Sequence, residues 1–180
     1  MPDSRALLVH FLAALAYRTQ KALRGAPDAF ADFRAGVNVL TPHELLWRMT
    51  SVIGYARTFL HGGAFSPPRL ATLADEEARF HQTLAALRAD LLDASLHATI
   101  SDRQFLQGPL ADAMTHAGQL AMLRRLAGSP VASENFIYAA VSADNVSAAQ
   151  PAPVAPDLWW RPDLPPHAAG PMKDDPPEGG

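Results

Sequence analysis

Apolar residues recur every three to four positions in four stretches of the chain, and each stretch predicts one helix. In the first, Leu8, Phe11, Leu12, Leu15 and Ala22 share a face between an N-cap at Asp3 or Ser4 and a close at Gly25 and Pro27. Its opening, ALLVHFLAALA over residues 6–16, also ends in the small-residue pattern of a signal-peptidase site. Asp3, a lone Arg5, His10 and the unbroken period through YRTQKALR favour a mature helix over a cleaved leader. A connector with helical potential, PDAFADFRAGVNVL, leads to Thr41-Pro42, where Thr caps, Pro suits the first helical position and Glu44 completes a capping box. The second helix carries Leu45, Met49, Val52, Ala56 and Phe59, backed by Leu46, Ile53 and Leu60, and stops at Gly62-Gly63. After FSPP, a third helix from about Ala71 to Ala94 aligns Leu73, Phe80, Leu84, Leu87 and Leu91, with Arg79, Arg88 and Asp90 on a charged face. The fourth opens at Ser101-Asp102, carries Phe105, Leu106, Leu110, Ala113, Ala117 and Leu120, and ends at Gly128-Ser129-Pro130.

Beyond it, SENFIYAAV can form one or two helical turns capped by Ser133. Nine of the 16 prolines fall in the final 35 residues, so the chain from Val146 onward is expected to lack regular structure. Trp159-Trp160 runs against a wholly solvated tail and points to a stretch lying across the body or a partner. The expected architecture is all-α: a four-helix bundle over residues 1–145 with a short fifth helical segment, followed by a Pro-rich irregular tail over 146–180. The order of connections leaves up-down-up-down and crossover topologies both open.

Composition narrows the chemistry. With 15 Lys and Arg against 18 Asp and Glu, a formal net charge of −3 and no massed basic stretch, nonspecific nucleic-acid binding is not expected. The absence of Cys excludes disulfides, thiolate nucleophiles and Cys-based metal sites, so a metal would need His, Asp, Glu or neutral oxygen donors. No apolar run approaches the roughly 20 residues that span a bilayer, and the expectation is a soluble, cytoplasmic protein. No Gly-x-Ser-x-Gly elbow, Walker loop or dinucleotide glycine motif occurs.

Polar residues intrude on the helical pattern at a few positions. Asp112, His116 and Gln119 follow at i, i+4 and i+7 and form one line beside the apolar face of the fourth helix. The Asp-x-x-x-His pair either offers a carboxylate and an imidazole to a divalent cation, or is a hydrogen-bonded polar pair at the edge of the core. Arg48 stands at the margin of the second helix's apolar stripe and calls for a carboxylate, with Asp112 or Glu77 as donors of one. Glu77 either interrupts the apolar line of the third helix or is a solvated first-turn glutamate favoured by the helix dipole. The other histidines, His10, His43, His61, His81, His97 and His167, show no His-x-x-x-His spacing.

Taken together, TPHELLWRMTSVIGYARTFL, an acidic helix with RFHQTL, and LQGPLADAMTHAGQLAMLRRLAGSPV resemble the DinB/YfiT-like superfamily over roughly residues 4–142. In that family the fourth helix usually reads His-x-x-x-His-x-Gly-Gln, and His116-Ala117-Gly118-Gln119 matches its second half. Gly118 fits physically: a mid-helix Gly costs about 1 kcal/mol relative to Ala, so a close backbone approach there is expected to compensate. The resemblance implies a four-helix bundle, often a homodimer, in which three histidines, one from the second helix and two from the fourth, hold a divalent metal such as nickel or zinc. Some members are thiol-dependent transferases using bacillithiol, mycothiol or glutathione, and many have no known activity.

Carried over residue by residue, the second histidine of the fourth helix is His116. The first falls on Asp112, which can ligate, and the second helix's histidine falls on Arg48, which stays protonated and cannot. Two expectations follow. In one, the guanidinium replaces the metal and pairs with Asp112 and Glu77, leaving an interaction protein or a site where Arg48 and His116 grip a small anionic or thiol ligand. In the other, Asp112, His116 and Glu77 hold a cation that supports hydrolase or thiol-transferase chemistry. A third possibility is a dimerisation module using the exposed helix faces and the paired tryptophans. Whether the chain is an enzyme, and on what substrate, is left open by the residues.

Overall fold

The computed structural model describes residues 4–156, which are helical without strands. Four long helical stretches are present: α1 (Ser4–Leu23), α2 (Pro42–His61), α3 (Leu73–Leu92), and a fourth that is broken into α4 (Asp102–Phe105), a π turn (Leu106–Leu110) and α5 (Ala111–Leu126). Short 3-10 turns stand at Asp28–Asp32 and Phe136–Tyr138. Trp159 and Trp160 lie outside the described residues.

The helix starts follow local chemistry. Thr41 Oγ1 accepts the Glu44 N–H at 3.2 Å while Glu44 Oε2 accepts the Thr41 N–H at 2.9 Å, so the expected capping box is formed. Ser101 and Gln104 build a second box at the start of α4. α3 starts two residues later than the pattern predicts, because Thr72 supplies the cap by accepting from the Asp75 N–H. The turn at 136–138 is capped by the side chain of Asn135, not by Ser133. α2 stops where Gly62 and Gly63 take φ of 75° and 77°, a region open to glycine.

α1 packs against α3 and α5, and α2 packs against the same two helices. Leu12 and Leu15 of α1, Leu46, Met49 and Ile53 of α2, Phe80, Leu84 and Leu87 of α3, and Phe105, Leu110 and Leu120 of the fourth stretch are fully buried between them. Each such side chain contributes about 1.5–3 kcal/mol relative to exposure, which makes the apolar stripes the main source of cohesion.

Three polar devices fix the ends of these helices. Arg124 of α5 is buried and directs Nη1 and Nη2 at the carbonyls of Ala22, Leu23, Arg24 and Gly25 (3.2–3.5 Å), closing the C-terminus of α1, while Nε donates to Ser129 O at 2.8 Å. Glu76, fully buried, is gripped by Arg79 through contacts of 2.6–3.1 Å and accepts the Leu70 N–H, and Arg79 also donates to Pro68 O; together they moor the α2–α3 loop. Asp90 is buried between Arg57 at 2.6 Å and His61 at 3.0 Å, tying α3 to the end of α2. The charged face expected of α3 is therefore partly internal, at Asp90.

Residues 131–156 form an irregular strap over α1 and α3. Residues 147–156 carry no helix, as expected, but Val146 itself is packed into the core cluster and Gln150 is buried. The bundle-to-tail boundary drawn at residue 145 thus runs through a packed segment.

Candidate functional site

The break in the fourth stretch comes from Gly108-Pro109. Proline has no N–H to donate and its ring crowds the carbonyl of residue i−4, so the chain swells into a π turn with Gly108 at φ −94°, ψ −105° before α5 resumes. Such turns are frequent at functional sites. Against α2 this one opens a hollow of about 510 Å³ lined by Val52, Tyr55, Gln107, Gly108, Pro109, Ala111, Asp112 and Thr115. A second hollow of about 250 Å³, lined by Trp47, Arg48, Ser51, Val52 and Tyr55, adjoins it at Val52 and Tyr55. The two form one open groove along the outer side of α2.

Its walls are pre-set. The Trp47 indole N–H donates to Pro67 O at 2.9 Å, Ser51 Oγ donates to Trp47 O at 3.0 Å, and the Tyr55 ring rests edge-on against Phe59 with centroids 4.8 Å apart. Phe65 covers the back of α2 at Gly54: a Cβ placed there would lie 2.1 Å from the ring, so only glycine fits.

Arg48 lies exposed in this groove and makes no hydrogen bond or ion pair with any described residue. The expected pairing of Arg48 with Asp112 and Glu77 is not formed. Asp112 lines the adjoining hollow, and its Oδ1 stands 3.4 Å from Nε2 of His116. On the other side of the ring, Nδ1 of His116 lies 2.9 Å from Gln119 Oε1; an amide oxygen only accepts, so Nδ1 carries the proton. Nε2 is then a lone pair, buried, without a hydrogen-bond partner among the described residues and facing a carboxylate oxygen. The imidazole lone pair and the carboxylate oxygen are placed as two potential donors to a cation.

Glu77 is placed elsewhere. It is half-buried, lines neither hollow, and bonds Gln20 of α1, where burial pushes its carboxyl above the usual range and the Gln20 bond partly offsets this. The third carboxylate expected beside Asp112 and His116 is not delivered by Glu77, and among the described residues no three His, Asp or Glu side chains gather to hold a metal. The structure thus brings Asp112, His116 and Gln119 together, places Arg48 in the adjoining hollow, and leaves Glu77 on another face.

Gly118 departs from expectation. It is exposed, and nothing lies within 4 Å of where its Cβ would be, so no backbone approach compensates for it. Sequence reasoning also missed the aromatic walls Trp47 and Tyr55, and it read 106–110 as uninterrupted helix although a Gly-Pro step is a breaker signal.

No helix among the described residues is long and apolar enough to cross a membrane. Compared with family models, curated proteins and solved structures, the chain finds no match in any of the three.

Proposed function

We propose that the chain is a DinB/YfiT-like four-helix bundle whose ancestral metal position has given way to a fixed guanidinium, and that its α2–α5 groove binds a small organic anion. The observation that carries this reading is Arg48, a cation unpaired among the described residues, in a groove walled by Trp47, Tyr55 and Val52. Arg48 lines one hollow of the groove and Asp112 the other. A carboxylate satisfies the guanidinium in a planar, two-point contact, and an attached ring covers the aromatic and aliphatic walls.

Thermal shift with benzoate, acetate and inorganic phosphate tests this. Benzoate is expected to raise the Tm of the wild type most, Arg48→Gln to abolish the shift, and Asp112→Asn to keep it. A wild-type Tm unmoved by all three anions would remove the proposal.

A second reading rests on the orphaned Nε2 of His116 facing Asp112. These two atoms would be half of a donor set for a divalent ion such as nickel or zinc, completed by water or by a ligand, with hydrolytic or thiol-transfer chemistry as the consequence. That reading requires stoichiometric metal after reconstitution, lost in His116→Ala.

A further inference from the structure

The strap formed by residues 131–156 is held to α1 and α3 largely through its own carbonyls and carboxylates. Along α1, Tyr17 donates its hydroxyl to Glu134 Oε1 at 2.7 Å, Lys21 donates to Ala132 O, and Arg24 donates to the carbonyls of Gln150 (2.6 Å) and Pro151 (3.1 Å). Along α3, Arg88 Nε donates to Ala143 O at 2.8 Å and pairs with Asp144. The segment closes on itself where the Asn135 N–H meets Ala155 O at 3.1 Å.

One latch differs from the rest. His81 of α3 is buried, and its Nδ1 lies 2.8 Å from Val146 O; a carbonyl only accepts, so the proton is on Nδ1. Its Nε2 is buried with no partner among the described residues, and the ring packs on Phe80 at 5.3 Å between centroids. A second proton would therefore put an N–H with no acceptor, and a full charge, into a closed apolar contact. Lifting the strap gives that N–H to water.

We propose that the strap is an acid-released lid on the α1–α3 face, with His81 as its trigger and Val146 as the point that lets go. The charged groups on the packed elements are otherwise engaged: Glu134 with Tyr17, Asp144 with Arg88, Arg24 with the strap carbonyls, and Arg18 over the Phe136 ring at 3.7 Å. Glu77, one turn before His81 on α3, is bonded to Gln20. None of them reaches Nε2.

The sign follows from the geometry. Burial holds the His81 ring below its ordinary value of 6.5, so the lid is fully favoured above that pH and loses stability as pH falls beneath it, until the buried ring itself protonates. Glu77 acts in the opposite sense, since a carboxyl raised by burial favours the closed form as acid is added. Acid opening therefore reports on His81 and not on Glu77.

The chain has no cysteine, which permits a direct probe. In Val146→Cys, the rate of reaction with 4,4′-dithiodipyridine is divided by the rate in urea at the same pH. From about pH 6.5 down to about pH 5, this ratio is expected to rise by up to tenfold per pH unit. Ile53→Cys, in the core, is expected to stay protected. Adding His81→Asn, which keeps a donor for Val146 O and cannot take the charge, is expected to flatten the profile. The proposal is overturned if the Val146→Cys ratio is flat, if Ile53→Cys opens in parallel, or if the His81→Asn double variant rises as steeply. Should His81→Asn fail to fold, the two single-cysteine profiles still decide.

Discussion

Two mid-helix glycines have opposite surroundings, and they predict opposite responses to the same change. Gly54 faces the Phe65 ring at a distance that no Cβ tolerates, so Gly54→Ala forces the ring off α2 and is expected to cost about 1–3 kcal/mol. Gly118 faces open space in a helical backbone, and Gly118→Ala is expected to stabilise the chain by up to about 1 kcal/mol. Urea titration of both variants checks the pair; destabilisation by Gly118→Ala would mean that something outside this chain's own packing, such as a second copy, approaches α5 there. Residue-level legibility was uneven for a physical reason. Glu76 lies three after Leu73 and four before Phe80, on the apolar line itself, yet the neighbouring Glu77 was singled out, because spacing does not reveal that Arg79 turns back to neutralise a buried carboxylate. Arg48 could be placed at a stripe margin from its spacing alone, but whether a margin residue turns inward depends on the neighbouring helix, and here it does not.

At the scale of the elements, the starts and stops of the long helices were legible because caps and glycines act within four residues of the backbone they serve. What joins one element to another was not. Arg124 ends α1 from α5, some hundred residues away in sequence, and no local pattern marks it as different from the exposed Arg125. Arg124→Met keeps the aliphatic stem but removes the guanidinium donor from the carbonyls of residues 22–25, of which Leu23 O keeps the Ala26 N–H, and is expected to cost about 2–4 kcal/mol, with amide exchange rising first in the last turn of α1. An exchange pattern unchanged at Ala22 and Leu23 would show that water replaces the guanidinium at no cost. The π turn has the same origin in reverse: Gly108-Pro109 is a local signal, but its consequence, a hollow against Val52 and Tyr55, exists only because α2 packs alongside.

On the scale of the whole molecule, two faces carry separate properties. The α1–α3 face is closed by the strap and its His81 latch, whereas the α2–α5 side keeps an open groove lined by Arg48 in one hollow and by Asp112, beside His116, in the other. The all-helical class was legible in the sequence. The groove was legible only as Arg48, Asp112 and His116, since spacing along one helix does not reveal which neighbouring element lies beside it. If Arg48 stands in for a metal, anion binding owes nothing to a metal ion. The affinity for benzoate, measured by calorimetry before and after exhaustive chelation, tests that most directly. Equal affinities are predicted; loss of binding on chelation, restored by nickel or zinc, would contradict the account.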